Sequence, residues 1–424
     1  MHPPSNDSID DLEKRAGAGD ASAQYRLAAH LSAAGDKGEA ERMLRAAADQ
    51  GFGDALYTLA TRLLSDDGMD EAAQLLARAV DAGSAPAQRL LAVLHANGFG
   101  VGADWPRAIS LVLGAAKNGV PAAMRELAML LLARDPDDCD GAALIAQAAA
   151  QDPIAGAVAV RRACMARRHV DVRAAARLLD LLKGAQYPNA EALAADFHAA
   201  SLQSDPQIPA PDWSAIERKL SAVQDIDSTE AERLCEAPKA RVFRNAFTAE
   251  ECEYVIASSA RLLAPSLVAD PSTGRSIQDE YRTSLTAIIA VADLDLALTL
   301  FNARLAGLAA RPFETAEALG VLYYAPGKEY KPHFDWLPDG PERDRGGQRV
   351  TTALLYLNDR YEGGETHFLS PDIRFKGEIG DVLVFDNVQP GGEPDRDSRH
   401  AGLAVKSGVK WLGSTWYREK KYRR

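Results

Sequence analysis

The sequence has few cysteines and no pattern that would use them. Four cysteines occur in 424 residues, without a CxxC pair or a metal-finger spacing, at Cys139, Cys164, Cys235 and Cys252. Small secreted scaffolds depend on dense disulfides, whereas scattered cysteines are typical of reducing compartments. The composition therefore excludes a disulfide framework and predicts reduced thiols in a cytoplasmic protein.

Long hydrophobic runs and an excess of basic residues are also absent. No window approaches the roughly 20 apolar residues that a membrane span needs, and the start, MHPPSNDSIDDLEKR, predicts no signal peptide. The net charge of −12 argues against a general nucleic-acid binder, because phosphate neutralisation requires a surplus of Lys and Arg. We therefore expect neither membrane nor nucleic-acid partners.

The first half of the chain carries an internal repeat. The segments AQYRLA, ALYTLA, AQRLLA and AMRELA recur at spacings of 32, 32 and 36 residues, beginning at Ala23, Ala55, Ala87 and Ala123. Glycines at the same spacing, Gly51, Gly83 and Gly119, suit the left-handed position just beyond a helix end. Small residues at fixed positions allow neighbouring helices of a solenoid to approach closely. We expect a fourth unit to end near Asp152 and a fifth to run from Ala155 to Gly184.

The AxxxLA pattern and the NGFGVGAD loop resemble the Sel1-like branch of the tetratricopeptide repeats. The resemblance implies a curved all-α helical-repeat solenoid that binds protein or peptide; a spacer or dimerisation arm is the alternative. We expect this domain to span residues 1–200. Residues 201–238 are expected to form a linker and a short helix, since SLQSDPQIPAPDW is polar and carries three prolines.

The second half contains a candidate metal site. In YYAPGKEYKPHFDW, His333 and Asp335 are two residues apart, so on a strand both side chains would point to the same face. His400, 65 residues after Asp335, could supply a third ligand. Two histidines and one carboxylate leave open positions on the ion, an arrangement associated with non-haem Fe(II) oxygenases. An HxD motif has low specificity by itself.

A lysine and several hydroxyls raise the specificity of this signal. Lys410 opens the strand-like run KWLGSTWY, and a lysine inside a barrel is costly unless a carboxylate neutralises it. The far carboxylate of 2-oxoglutarate would do so. Thr352 and Tyr356 lie four apart on one strand and could reach the same carboxylate. Tyr324 and Tyr330 could line the other side of the pocket.

From about Ala240 to Tyr417 the chain resembles the prolyl 4-hydroxylase-like branch of the Fe(II)/2-oxoglutarate dioxygenases. The segments that carry the resemblance are ARVFRNAFTAEECEYVI, RTS, YYAPGKEYKPHFDW, QRVTTALLYLNDRYEGGETHF, GEIGDVLVFDN and SRHAGLAVKSGVKW. It implies a double-stranded β-helix, or jelly-roll, catalytic domain with flanking helices over residues 239–424. The expected fold class is therefore multidomain α + β. One departure is Asp386-Asn387, where typical members have aromatic or Trp-Ser sequence.

The resemblance also implies the roles of the site residues. Fe(II) would be held by His333, Asp335 and His400, and 2-oxoglutarate by Lys410 with Tyr324, Thr352 and Tyr356 assisting. O2 is the second co-substrate, and ascorbate the expected reductant. His367 is a rival ligand that the family spacing disfavours. Arg282, Trp336 and Tyr330 are candidate substrate contacts.

The implied reaction is hydroxylation of a substrate C–H with release of succinate and CO2. We expect the substrate to be a prolyl residue of a protein or peptide, recruited by the repeats and clamped by mobile loops at residues 268–281 and 338–349. Three alternatives are open. They are hydroxylation of a free amino acid or small metabolite, a catalytically silent interaction scaffold, and a zinc hydrolase, in which Lys410 has no role.

Overall fold

The computed structural model describes residues 8–64, 68–200, 208–222, 230–269, 276–277 and 280–422. The chain divides into two compact units, Met1–Ala123 with Leu294–Leu296, and Met124–Asp293 with Ala297–Arg424. Helices fill the first half, and antiparallel strands dominate the second. The predicted fold class is confirmed. The domain boundaries predicted at residues 200 and 238 stay predictions, since the compact units divide elsewhere.

The helices of the first half follow one another in pairs. Their bounds are α1 (Ile9–Gly17), α2 (Ala21–Ala34), α3 (Lys37–Asp49), α4 (Gly53–Arg62), α5 (Met69–Asp81), α6 (Ala85–Asn97), α7 (Trp105–Lys117), α8 (Pro121–Leu132), α9 (Cys139–Ala148), α10 (Pro153–Cys164), α11 (Val172–Gly184), α12 (Ala190–Ala199) and α13 (Trp213–Leu220). The expected fifth repeat therefore forms as the pair α10 and α11. In the part of the chain that the structure describes, every helix is too short or too polar to cross a lipid bilayer.

The repeat pattern has the predicted packing role. The four repeat alanines, Ala23, Ala55, Ala87 and Ala123, are fully buried. Gly51, Gly83 and Gly119 have φ angles of 81°, 84° and 83°, in the left-handed region that glycine adopts without a Cβ penalty. Each thus ends one helix and redirects the chain into the next. Asp20 and Ser84 cap helices α2 and α6 by accepting from backbone N–H groups.

Antiparallel sheets form the core of the second half. The strands are β1 (Ala231–Cys235), β2 (Ala240–Phe243), β3 (Ala264–Pro265), β4 (Val268–Ala269), β5 (Ser276–Ile277), β6 (Leu285–Ile288), β7 (Gly320–Tyr324), β8 (Tyr330–His333), β9 (Arg349–Tyr356), β10 (Tyr361–Gly363), β11 (Thr366–Phe368), β12 (Ile373–Phe375), β13 (Val382–Asp386), β14 (His400–Gly402), β15 (Val405–Gly408) and β16 (Lys410–Arg418). Among the described residues, three α-helices accompany them, α14 (Ala249–Ser259), α15 (Leu296–Ala309) and α16 (Pro341–Asp344).

Two of these sheets enclose one hydrophobic core. The larger sheet has the order β1-β2-β13-β9-β16-β7-β6-β3, and the smaller has the order β12-β11-β14-β8. Leu354 and Phe385 of the larger sheet and Phe368 and Phe375 of the smaller one belong to the same buried cluster. Alternating residues of each strand point into this core, as the two-residue period of a strand requires. This is the predicted jelly roll, and the candidate site lies inside it.

Helix α14 joins the jelly roll to the last helical repeat within the second unit. Every residue of α14 is buried. Its Glu253 accepts hydrogen bonds from Arg161 at 3.0 Å, Tyr187 at 2.6 Å and Asn189 at 2.9 Å. Removing one partner of such a buried ion pair costs about 3–5 kcal/mol, because the other charge is left uncompensated. These hydrogen bonds therefore stabilise the packing of α14 against the last helical repeat.

Candidate active site

Strand register brings the two candidate histidine ligands together. His400 on β14 is the direct cross-strand partner of His333 on β8, and their ring centroids are 4.3 Å apart. Asp335 follows two residues later, with Oδ1 3.5 Å from His333 Nε2 and Oδ2 3.8 Å from His400 Nε2. One ligand atom from each of the three residues lies within 4.8 Å of the others. The structure thus brings the three candidate ligands together from two separate segments of the chain.

Backbone carbonyls fix how each histidine presents its ring. His333 Nδ1 lies 2.8 Å from the Lys331 carbonyl oxygen, and His400 Nδ1 lies 2.9 Å from that of Ser398. A carbonyl oxygen only accepts, so Nδ1 carries a proton and Nε2 is the nitrogen that each ring turns toward Asp335. Burial, together with His333, lowers the pKa of His400 to about 4. His400 is therefore a neutral imidazole near pH 7, the form that ligates a metal.

Asp335 is held as a buried carboxylate. Burial acts to raise its pKa, but the neighbouring His400 and His333 and the Thr352 hydroxyl outweigh burial and hold the pKa well below its usual range. The Thr352 hydroxyl donates to Asp335 Oδ2 at 2.7 Å. A carboxylate beside two imidazole nitrogens is the donor set that suits Fe(II) with open coordination positions. The residues present therefore fit the iron that the sequence predicts.

Lys410 is buried in the same cavity, with only 2% of its surface exposed. Its Nζ donates to the Gly364 carbonyl oxygen at 2.7 Å and lies 5.7 Å and 5.4 Å from the ring centroids of Tyr324 and Tyr356. Burial lowers its pKa to about 7, and Glu365 opposes the shift from a distance. Among the described residues no carboxylate forms an ion pair with Lys410. An anionic ligand would supply the missing partner.

Tyrosine hydroxyls border the cavity as neutral donors. Burial raises the pKa of Tyr324 and Tyr356, and raises that of Tyr330 to about 12. The Tyr356 hydroxyl bonds Thr366 at 2.8 Å, and the Tyr330 ring stacks on His333 with centroids 3.5 Å apart. Tyr324 and Tyr330 both line the cavity, at the positions expected from the sequence.

Two predicted contacts differ in the structure. The sequence predicts that Thr352 assists Lys410. In the structure, the Thr352 hydroxyl instead donates to Asp335 and accepts from Asn387 at 2.9 Å. Trp336 does not line the cavity and instead packs against Phe334 with centroids 5.0 Å apart. Trp336 is three residues after His333, an odd offset that strand alternation places on the opposite face, and the chain has already left β8, which ends at His333.

The other candidates are placed as follows. Arg282 lines the cavity with its guanidinium 4.9 Å from the centroid of the Tyr330 ring. His367, the rival ligand, turns away and bonds Asp372 through Nε2 at 2.7 Å. Its neighbour Phe368 is the residue that faces the core and His400. Because successive strand residues point to opposite faces, His367 cannot join His333 and His400 without a register slip.

The structure describes only part of the two loops that are predicted to clamp the substrate. Most of residues 268–281 lies outside the described residues, although Tyr281 at its end donates to the Pro332 carbonyl oxygen. The charged segment 338–349 is tied down at its end. Gln348 exchanges hydrogen bonds with the backbone of Leu337, and Arg349 makes a paired contact with Glu317 at 2.7 Å and 2.9 Å. Its clamping role stays a prediction.

Eight further residues that the sequence analysis did not single out line the cavity, namely Leu322, Thr366, Ala401, Gly402, Leu354, Leu412, Ser414 and Trp416. The last three lie two, four and six residues after Lys410 on β16. Strand alternation counted from Lys410 would have found them. Gly364 was missed as well, because its contribution is a backbone carbonyl. Its φ of +69° and its Cβ position 3.3 Å from the Lys410 side chain require glycine there.

The segment that carries this site is similar to known proteins. Residues 319–418 match the 2OG-Fe(II) oxygenase superfamily. The chain is 32% identical over 237 residues to probable prolyl 4-hydroxylase 10 of Arabidopsis thaliana, covering 50% of this chain and 82% of that protein. The chain belongs to the prolyl 4-hydroxylase family. The predicted family is thereby confirmed, and the iron-ligand candidates and Lys410 of this prolyl 4-hydroxylase family member all lie within the matched segment.

This prolyl 4-hydroxylase family member is also similar to several solved structures. One is the 2OG complex of the viral collagen prolyl hydroxylase from Paramecium bursaria Chlorella virus-1, with 23% identity and a TM-score of 0.34 over 44% of this chain and 98% of that one. Another is a putative Sel1 repeat protein from Klebsiella pneumoniae, with 24% identity and a TM-score of 0.31 over 46% and 99%.

Proposed function

We propose that this protein hydroxylates a prolyl residue of a protein or peptide, using Fe(II), O2 and 2-oxoglutarate and releasing succinate and CO2. The observation that carries the proposal is one cavity that holds two histidines and a carboxylate together with a buried lysine, which forms no ion pair with a carboxylate of the described residues. Fe(II) bound there would supply oxygen activation coupled to decarboxylation of the 2-oxo acid. Membership of the prolyl 4-hydroxylase family supports proline as the target.

The residues of the chain divide the remaining work. Lys410 would neutralise the far carboxylate of 2-oxoglutarate, and the ring centroids of Tyr324 and Tyr356 lie 5.7 Å and 5.4 Å from its Nζ. Leu354, Leu412 and Trp416 line the cavity with apolar surface, which limits the water that reaches the reacting groups. Ascorbate as reductant and a cytoplasmic location stay predictions from the sequence.

The substrate class can be tested with a pair of compounds. Purified protein given Fe(II), ascorbate and 2-oxoglutarate is expected to release succinate faster with a panel of short proline-containing peptides than with free proline. Mass spectrometry should find one added oxygen on a prolyl residue. Turnover on free proline alone would replace the proposal with small-metabolite hydroxylation, and no turnover with no 2-oxoglutarate binding would favour the silent scaffold.

We propose further that the helical repeats recruit the protein substrate. Tethering a second binding module to a catalytic site raises the effective substrate concentration, by about 10²–10⁴-fold in favourable cases. The test is a variant that lacks residues 1–119. The deletion stops before α8, so the repeat helices that contact α14 are kept. This variant should need far more proteome extract than the full chain for half-maximal succinate release. Its kinetics on a short peptide should match those of the full chain. Unchanged dependence on the extract would refute recruitment by the removed repeats.

A further inference from the structure

Beside the metal ligands lies a buried chain of hydrogen bonds that the proposed roles do not use. Asn387 Nδ2 donates to Thr352 Oγ1 at 2.9 Å, and Thr352 Oγ1 donates to Asp335 Oδ2 at 2.7 Å. Asn387 and Thr352 are fully buried, and Asp335 is nearly so. Solvent therefore cannot replace either hydrogen bond.

The direction of this chain follows from proton counting. An ionised Asp335 carboxylate only accepts, so it takes the single proton that the Thr352 hydroxyl has. Thr352 can then only accept from its other neighbour, which must be the amide NH2 of Asn387 rather than its oxygen. In agreement, Asn387 Oδ1 has no hydrogen-bond partner among the described residues although it is buried. Burying an acceptor without a partner costs free energy. The hydrogen bond that the Asn387 NH2 group donates to Thr352 is therefore what holds the amide in this orientation.

The backbone keeps Asn387 at this position. Its N–H donates to the Val350 carbonyl oxygen at 2.9 Å, and its own carbonyl oxygen accepts from Asp395 N–H at 2.9 Å. Phe385 on β13 is paired with Thr352 on β9, so Asn387 lies just past the end of the pair that carries the hydroxyl. Two backbone hydrogen bonds thus fix the position of Asn387 just beyond the end of β13.

We propose that Asn387 is a positioning residue that acts through Thr352 to orient the Asp335 carboxylate for metal binding. The inference rests on the proposed function, since it takes Asp335 to be an iron ligand. With the Asn387 amide in place, the Thr352 hydroxyl can donate its proton only toward Asp335. That hydrogen bond holds Asp335 Oδ2 in position. Without the amide, the hydroxyl can rotate away, and the carboxylate loses the hydrogen bond that Thr352 donates to Oδ2.

The test is a Co(II) titration of metal-free full-length protein, followed by the visible absorption of the bound ion. Thr352→Val and Asn387→Leu are each expected to weaken Co(II) binding by about tenfold or more, the usual cost of losing an outer-shell partner of a ligand. Thr352→Ser keeps the hydroxyl and should restore near-wild-type affinity. The double variant should lose no more than Thr352→Val alone, because Asn387 acts only through the hydroxyl.

Asn302→Ala serves as the matched control, since Asn302 is a buried amide on α15 of the same unit. It is expected to alter thermal stability without altering Co(II) affinity. Wild-type affinity in both Thr352→Val and Asn387→Leu, or fully additive losses in the double variant, would overturn the inference while leaving the iron site intact. Co(II) binding that is indifferent to His333→Ala would instead overturn the proposed function, and this inference with it.

Discussion

Replacement of His333 by alanine is expected to abolish succinate release. His333 is one of three residues that offer a ligand atom within 4.8 Å of the others, and no other described residue is placed to substitute for it. Loss of outer-shell partners alone costs about 10–100-fold in metal affinity. Loss of a ligand should therefore cost at least about a thousandfold in turnover, or about 4 kcal/mol. Succinate release and Fe(II) binding measured on the same preparation would show both losses together.

His367→Ala is the control for this experiment. His367 is the third histidine between residues 333 and 400, but its ring bonds Asp372 outside the cavity. The variant should bind Fe(II) and release succinate as the wild type does. Equal loss in His367→Ala and His333→Ala would show that the ligand assignment is wrong.

Removal of the Lys410 charge is expected to raise the KM for 2-oxoglutarate by roughly a hundredfold in Lys410→Met. A buried carboxylate that loses its only cationic partner forfeits about 3 kcal/mol, and every 1.4 kcal/mol is about tenfold in affinity. At saturating 2-oxoglutarate, turnover should largely recover, because Lys410 binds the co-substrate and does not ligate the metal. Lys406→Met, which removes an exposed lysine from the neighbouring strand β15, should leave KM unchanged.

The same lysine predicts how 2-oxoglutarate binding depends on pH. Burial lowers the Lys410 pKa to about 7 in the free protein, and a bound carboxylate would favour the ammonium form. Binding therefore takes up a proton once the lysine is neutral. The KM for 2-oxoglutarate should rise as the pH increases above about 7, and Lys410→Met should lose this dependence. A flat pH profile in the wild type would mean that the ammonium is not the anchor.

Much of the site can be predicted from the sequence, because the face to which a strand residue points depends only on its position along that strand. His333 and Asp335 are two residues apart, and Lys410 begins an alternating run whose every second side chain enters the cavity. The repeat period in the first half likewise reflects local helix packing, and glycines 51, 83 and 119 end helices as predicted. Such patterns follow from the fixed periods of helix and strand.

Other features depend on partners that are distant in the chain. Thr352 could not be assigned to Asp335 rather than Lys410, since both lie on the same side of the barrel and only the final distances distinguish them. The packing of α14 against the last repeat could not be predicted from the sequence either, because Glu253 and Arg161 are 92 residues apart in the chain. No local pattern encodes such a contact.

The sequence by itself determined the family, the fold class, and the identities of the residues that could carry the chemistry. The tertiary structure decided which of them meet. His400 stands opposite His333 because β14 pairs with β8 in one register, and a shift of one residue would turn His400 out of the core. That register results from the burial of both sheets against one common core, a property of the whole fold that no short segment contains.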